Sequence, residues 1–268
     1  MNNIIRAQSL FSIYNAKSGH PGGVLSSIDI IFHLFSKEMS FDKKDFSILK
    51  RDRFILSKGH CAPALYSVAA EIGLINKKSL KGLRKLDNKL QGHTHRLSAP
   101  WTEASTGSLG QGFSFAIGEA LGLMMQKINN RVYVMLGDGE LQEGEVWEGC
   151  MFAGHHKLDN LCAIIDYNKM QSDDLNENII NLEPLYEKWS SFNWNVVEID
   201  GHSHEDINRG FKNARDTKRK PTVIIAHTIK GKGVSFMEGN PAWHGSLELS
   251  RDDLNNALSD LKVELSQL

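Results

Sequence analysis

The sequence predicts a three-layer, doubly wound α/β fold with a mostly parallel sheet. Short apolar runs alternate along the chain with segments of helical periodicity. The clearest case is residues 132–170, where two apolar runs flank a segment whose apolar residues recur every three to four positions. Two strands joined by one helix lie parallel, so their carboxyl ends open on the same edge of the sheet.

This strand–helix–strand unit predicts a site for a cation and a diphosphate. Its first run ends in GDG and its second in DYN, so Asp138 and Asn168 are expected side by side in the crevice at the strand ends. A carboxylate and an amide oxygen suit Mg²⁺ or Ca²⁺ and leave room for phosphate oxygens and water. Gly137 and Gly139 would let the backbone approach a diphosphate closely. The GDG triplet alone is better explained by a tight turn.

The other strands and helices are predicted from the same two patterns, short apolar runs and apolar residues every three to four positions. Irregular structure is expected at SGHPGG, because proline and three glycines oppose a regular backbone. The basic stretch 77–89 is expected to be a solvated helix, and His227 a satisfied core residue within the last strand. Helices are predicted over residues 2–16, 27–35, 62–72, 141–156, 184–189, 205–215 and 248–265, and further strands over 52–56, 195–203 and 222–228.

Composition narrows the functional class. The 31 basic and 32 acidic residues nearly cancel and form no basic patch, which argues against nucleic-acid binding. The longest apolar run is too short to cross a bilayer, and the amino terminus lacks the layout of a signal peptide. Three scattered cysteines, Cys61, Cys150 and Cys162, suggest buried reduced thiols. We therefore expect residues 1–268 to form a single domain of a cytoplasmic protein.

Taken whole, residues 132–170 resemble the thiamine diphosphate motif in its transketolase form. GDG, EG, WE, LDNL and DYN follow one another at matching spacings. In that family the aspartate and asparagine bind the metal, together with a backbone carbonyl two residues after the asparagine. The resemblance thus implies Mg²⁺, or Ca²⁺ or Mn²⁺, held by Asp138, Asn168 and the carbonyl of Met170.

Four histidines stand in further stretches that resemble transketolase loops: SGHPGG, SKGH, QGHTH and WHG. His20 lies in the first, which resembles the early cofactor and substrate loop. By resemblance, His60 contacts the cofactor diphosphate and His93 reaches the terminal hydroxyl of the donor sugar. His244 would contact both diphosphate and donor. Thr94 stands where the family usually has proline, which leaves the identity of the substrate open.

Two further loops complete the resemblance. TGSLGQG resembles the loop that seats the two cofactor rings, which implies cofactor contacts by Gly107, Ser108 and Leu109. IKGKG resembles the loop that closes over the thiazolium ring, and Lys230 belongs to it.

The resemblance also implies a partner, because transketolases are more than twice this long. Their pyrimidine-binding and third domains have no counterpart in these 268 residues. In the family, the cofactor is activated by a glutamate from the second domain of the other polypeptide in the dimer. The chain is therefore expected to be the amino-terminal subunit of a split transketolase-like enzyme that pairs with a carboxy-terminal subunit in a two-fold heterotetramer. Glu143 and Glu148 have counterparts in acidic pairs that couple the cofactor sites across that interface.

The implied reaction is transfer of a two-carbon ketol unit from a ketose or ketose phosphate to an aldehyde. Two alternatives stay open. One is another thiamine diphosphate enzyme, such as a 2-oxo acid dehydrogenase component or a deoxyxylulose-phosphate synthase fragment, against which the transketolase-type loops argue. The other is a non-catalytic cofactor-binding module, which the intact metal ligands and the histidines disfavour.

Overall fold

The computed structural model describes residues 1–245 and 247–268, and in these residues five parallel strands form one sheet. The strands are ordered β1-β2-β3-β5-β4, and every neighbouring pair is parallel. Their bounds are Arg53–Leu56 (β1), Val132–Gly137 (β2), Leu161–Tyr167 (β3), Asn195–Asp200 (β4) and Thr222–His227 (β5).

Helices cover both faces of the sheet, which confirms the three-layer prediction. Along β2, Tyr133 and Met135 enter one apolar core, while Val132, Val134 and Leu136 enter the other. Burial of both faces is why these runs are continuously apolar. The first core includes α1 (Asn2–Ala16), α2 (Pro21–His33), α3 (Ala62–Glu71), α8 (His204–Asp216) and α9 (Arg251–Leu261); the second includes α4 (Gln111–Met125), α5 (Gly144–His156) and α7 (Leu185–Ser191). A single turn, α6 (Asn176–Ile179), follows β3.

The register of β2 and β3 builds the predicted edge. Gly137 pairs with Asp166, so the residues that follow each strand, up to Asp138 and Asn168, leave the sheet together. Lys58 follows β1 and Lys230 follows β5 at this same edge. Four strand ends therefore converge where open α/β sheets bind ligands.

The expectation of irregular structure at SGHPGG holds for residues 18–20 but is wrong for the rest of the stretch, because α2 already begins at Pro21. A proline at the first helical position loses no hydrogen bond, since that N–H has no partner within the helix. Gly22 is needed for a close approach: a Cβ there would lie 2.9 Å from the carbonyl oxygen of Trp243. The Gly22 carbonyl in turn accepts a hydrogen bond from Gly231 N at 2.9 Å.

Three other expectations need correction. The stretch 77–89 forms a short 3₁₀ helix over Lys77–Gly82 and then turns, with Arg84 and Asp87 in the left-handed region at φ 57° and 60°. The final helix is shorter than predicted and ends at Leu261. His227 is exposed, because it ends β5, and it pairs with Glu198 at 2.7 Å.

All three cysteines are buried and unpaired, as predicted. Within the described ranges, no helix combines the length and the apolar character that a membrane crossing requires.

Candidate active site

The carboxyl edge of the sheet opens into a cleft that gathers most of the predicted site residues. Loops that follow β1, β2, β3 and β5 contribute to it, together with the start of α2 and the loop before α4. It is lined by His20, Gly23, Lys58, His60, His93, Gly107, Leu109, Gly137, Asp138, Gly139, Glu140, Asn168, Met170, Gln171, Ser172, Lys230 and His244.

The three predicted metal ligands line the cleft together. Asp138 is 2 % exposed, and its carboxylate accepts hydrogen bonds from Gly139 N at 2.8 Å and Lys169 N at 2.5 Å. Burial, together with the nearby charge of Asp166, raises the pKa of Asp138 to about 7. In the described chain no three His, Cys, Asp or Glu side chains cluster as a metal site. A cation here would thus be held by the mixed oxygens of a carboxylate, the Asn168 amide and the Met170 carbonyl, which suit a hard ion.

A buried ion pair lies beneath these ligands. Lys58 is 1 % exposed and donates to the fully buried carboxylate of Asp166, which also accepts from Ser26 Oγ at 2.6 Å and Thr228 Oγ1 at 2.5 Å. Burial alone would raise the pKa of Asp166, but Lys58 and these hydrogen bonds hold it below its usual value. Asn168 Nδ2 donates to the same carboxylate at 3.3 Å. Because a carboxylate only accepts, this contact fixes which end of the Asn168 amide presents its oxygen to a cation.

A second buried acid joins the loops around the cleft. Glu140 is 1 % exposed and accepts from Gly110 N at 2.9 Å, Gly137 N at 3.0 Å and Ser57 Oγ at 2.5 Å. Burial raises its pKa above the usual value. This carboxyl therefore connects the ends of β1 and β2 to the glycine-rich loop before α4.

The four predicted histidines form one cluster. The ring centroid of His20 lies 5.3 Å from that of His60, 6.0 Å from that of His244 and 6.4 Å from that of His93. Burial lowers the pKa of His20 to about 4 and that of His244 to about 3, and it places the pKa of His60 well below 6.5. His93 is the exposed member, and its pKa is also lowered. Neutral imidazoles both donate and accept hydrogen bonds, as recognition of sugar hydroxyls requires.

Lys230 connects His244 to Met170, one of the predicted metal ligands. Its ammonium is buried and donates to His244 Nδ1 at 2.6 Å, to the Gln171 carbonyl at 3.1 Å and to the Met170 carbonyl at 3.3 Å. Burial lowers the pKa of Lys230 to about 8. The ammonium group of Lys230 thus places a positive charge directly beside the carbonyl of Met170, one of the predicted metal ligands.

Three predicted site residues lie outside the cleft lining. Ser108 is exposed, although its neighbours Gly107 and Leu109 line the cleft. Glu143 and Glu148 are exposed at the start of α5. Their positions suit contact with another chain better than contact with a ligand in this cleft.

The sequence reasoning missed Lys58, Asp166 and Glu140 as functional residues. A signal for the first two was present, since each is a charged residue that directly extends or follows an apolar strand at the ligand-binding edge. Nothing in the sequence distinguishes Glu140 from the acids of the next helix.

The cleft has the features of a site for a large polar ligand. His20 Nδ1 and Gln171 Nε2 are buried without a hydrogen-bond partner in the parts of the chain that are described. Buried polar atoms of this kind are rare unless a ligand or water satisfies them. Gly107 has φ 145°, and a Cβ there would lie 3.0 Å from His93 Cδ2, so this backbone approaches the histidine cluster as closely as only glycine allows.

Comparison with known proteins identifies the family of this chain. Residues 1–265 match the family described as transketolase, thiamine diphosphate binding domain. The 6-deoxy-6-sulfo-D-fructose transketolase subunit SqwG of Clostridium sp. (strain MSTE9) is 40% identical over 98% of this chain and 95% of its own length. Transketolase of Rattus norvegicus is 42% identical over 91% of this chain, which covers 38% of that protein.

A solved structure, the transketolase from Leishmania mexicana, superposes with a TM-score of 0.93 and 29% identity over 98% of this chain and 41% of its own. The chain therefore belongs to the transketolase family and corresponds to the thiamine diphosphate-binding domain of that family.

Proposed function

We propose that this chain binds thiamine diphosphate with a divalent cation and serves as the amino-terminal subunit of a transketolase-like enzyme. The enzyme would transfer a two-carbon ketol unit from a ketose or ketose phosphate to an aldehyde. One observation carries the proposal: a set of hard oxygen ligands and four neutral histidines line the same cleft.

Asp138, Asn168 and the Met170 carbonyl would hold the cation, with Mg²⁺ as the first choice and Ca²⁺ or Mn²⁺ as alternatives. Gly137 and Gly139 line the cleft beside these ligands and would contact the diphosphate, although their N–H groups already donate to Glu140 and Asp138. His60, His244 and Lys230 would donate to the diphosphate, since they line the cleft as one connected cluster.

When bound, thiamine diphosphate supplies the carbanion-stabilising chemistry that breaking a carbon–carbon bond requires. The contribution of this chain is to orient the sugar and to hold protons. With pKa values below 6.5, the rings of His20 and His93 are neutral at pH 7, so each accepts from one sugar hydroxyl and donates to another. Gly107, Ser108 and Leu109 belong to the loop on which the cofactor rings would rest.

We also propose that a second chain supplies the pyrimidine-binding domain, and that two such pairs form a heterotetramer. The relatives of similar length support this, because they are named as subunits of larger enzymes. One of them is an apulose-4-phosphate transketolase subunit of Phocaeicola vulgatus, of which this chain covers 82%. Exposed Glu143 and Glu148 suit the coupling interface. The family assignment disfavours a 2-oxo acid dehydrogenase component and a purely non-catalytic module.

The test is reconstitution. The chain is purified alone and then together with a candidate carboxy-terminal subunit, with thiamine diphosphate, Mg²⁺, a ketose-phosphate donor and an aldose-phosphate acceptor. We expect ketol transfer only when both chains are present, and a single complex by mass measurement. Transfer by this chain alone would contradict the two-chain part of the proposal. Absence of cofactor binding by both preparations would contradict it entirely.

A further inference from the structure

Arg84 lies behind the cleft, between the two loops that carry His20 and His93. Its Nη1 donates to Ser18 Oγ at 2.8 Å, two residues before His20. On its other side the guanidinium packs directly on the backbone of Gly92, where a Cβ would lie 2.6 Å from Nε and 2.8 Å from Cζ. The side chain does not line the cleft, so it acts on the histidines from outside the ligand volume.

The backbone holds Arg84 in this place. Arg84 has φ 57°, a left-handed conformation that costs a non-glycine residue free energy, and its N–H donates to the Leu90 carbonyl at 2.9 Å. The Ser18 loop is held as well, because the Gly19 carbonyl accepts from Leu247 N at 3.0 Å. The guanidinium therefore joins two segments that are each already fixed at one end.

The same guanidinium places a positive charge beside both rings. After burial, the charge of Arg84 is the largest influence that lowers the pKa of His20, ahead of His93 and Lys230. For His93, too, the charge of Arg84 is the cause next after burial that lowers the pKa. The remaining rings near His20 are those of His60 and His244.

We propose that Arg84 is a positioning residue for recognition of the donor sugar: its guanidinium ties the Ser18 loop to Gly92 and so fixes the rings of His20 and His93 relative to each other. This inference rests on the proposed function, in which these two rings contact the sugar. A pair of rings fixed in this way would select a polyhydroxylated ligand, because two neutral imidazoles match a pair of hydroxyl groups rather than an anion.

The first test uses the chain itself and does not depend on its activity. Imidazole titrations are followed by NMR in the wild type and in R84Q, R84K and G92A. In R84Q the pKa of His20 should rise from about 4, and that of His93 should rise with it. R84K should largely restore both values because it returns the charge. G92A should shift both pKa values in the same direction as R84Q but by less, because the new Cβ moves the charged guanidinium without removing it.

The matched control is R96Q. Arg96 is an exposed arginine near the same loop that donates to the Glu103 carbonyl at 2.7 Å, so its removal should leave both titrations unchanged. Unchanged pKa values of His20 and His93 in R84Q would overturn the proposal, as would equal shifts in R96Q.

The second test uses the assembled enzyme. R84Q should raise KM for the ketose donor on the order of tenfold to a hundredfold, because a misplaced binding group loses its orientation. The affinity for thiamine diphosphate should not change. In a double-mutant cycle with H93A the two effects should be strongly non-additive. Additive effects, or an equal loss of cofactor affinity, would contradict a positioning role. An inactive wild-type complex would instead count against the proposed function, and the NMR result would still decide the effect of Arg84 on the rings.

Discussion

Asp166→Asn is expected to destabilise the folded chain by about 3–5 kcal/mol, because it leaves the Lys58 ammonium buried without a charged partner. Lys58 is 1 % exposed and Asp166 is 0 % exposed, so water compensates neither charge. The substitution preserves side-chain shape, so the loss comes from charge and hydrogen bonding rather than from a cavity. For a chain of this size the change corresponds to a fall in Tm of about 6–20 °C.

The assay is urea unfolding followed by far-UV circular dichroism, with the m-value required to stay constant. The double variant Lys58→Met with Asp166→Asn should recover most of the loss, because it removes the buried ammonium that Asp166→Asn leaves unpaired and keeps an acceptor for Ser26 and Thr228. A loss below about 1 kcal/mol in Asp166→Asn would refute the reasoning, since it would mean that water reaches Lys58.

A second buried pair provides the functional control. Arg51 and Glu103 form an ion pair outside the cleft lining, with side chains 8% and 5% exposed. Glu103→Gln should therefore cost similar stability and leave cofactor affinity intact. Asp166→Asn should also weaken Mg²⁺-dependent cofactor binding, because an amide at position 166 can both donate and accept and so no longer fixes which end of the Asn168 amide carries the oxygen. Equal effects of the two variants on cofactor affinity would contradict this role of Asp166.

Two further predictions concern the cleft. Asp138→Ala should weaken Mg²⁺-dependent binding of thiamine diphosphate by at least about 100-fold, measured by calorimetry. The control is Asp159→Asn, which should leave binding unchanged, because Asp159 lies outside the cleft lining and accepts from Arg219 N. Unchanged binding in Asp138→Ala would show that Asp138 does not hold the metal. His20→Gln should reduce the acid sensitivity of folding: the folded pKa of about 4 lies below the usual 6.5, so the unfolded chain binds the extra proton and stability falls as pH drops from 6.5 toward 4. Unfolding measured across that range should show a dependence smaller by about one proton, and an unchanged slope would contradict a neutral His20.

The part of the site that stands on the sheet was predictable from the sequence. Two apolar runs separated by one helix predict a parallel pair whose carboxyl ends share one edge, and the observed pairing of Gly137 with Asp166 agrees with this. Asp138 and Asn168 are brought together by this local rule. The histidines of the cleft were located by resemblance of their loops, and the structure brings all four together.

The sequence could not show which charged residues are buried, because burial is a property of the assembled layers. Lys58 follows a short strand, as many surface lysines do, and only the packing of α2 against the sheet edge encloses it: Ser26 and Ser27 of α2 reach the same Asp166 carboxylate. The start of α2 was misplaced for a related reason. Proline and glycine predicted irregular structure, whereas proline is tolerated at the first helical position and the close approach of the Trp243 carbonyl requires a glycine at Gly22.

The two halves of the cleft therefore differ in how they are held. The proposed cation half (Asp138, Asn168 and Met170) stands on strand ends whose positions the sheet fixes, and the buried carboxylates of Asp166 and Glu140 join its polar atoms. The proposed sugar half (His20 and His93) consists of loops. Its two rings are held relative to each other by contacts between loops, such as that between Ser18 and Arg84, 66 residues apart in sequence. Substitutions in these loops should consequently alter the donor specificity before they alter cofactor binding. A family that keeps one cofactor and changes its sugars would need this separation, because each half can then vary without the other.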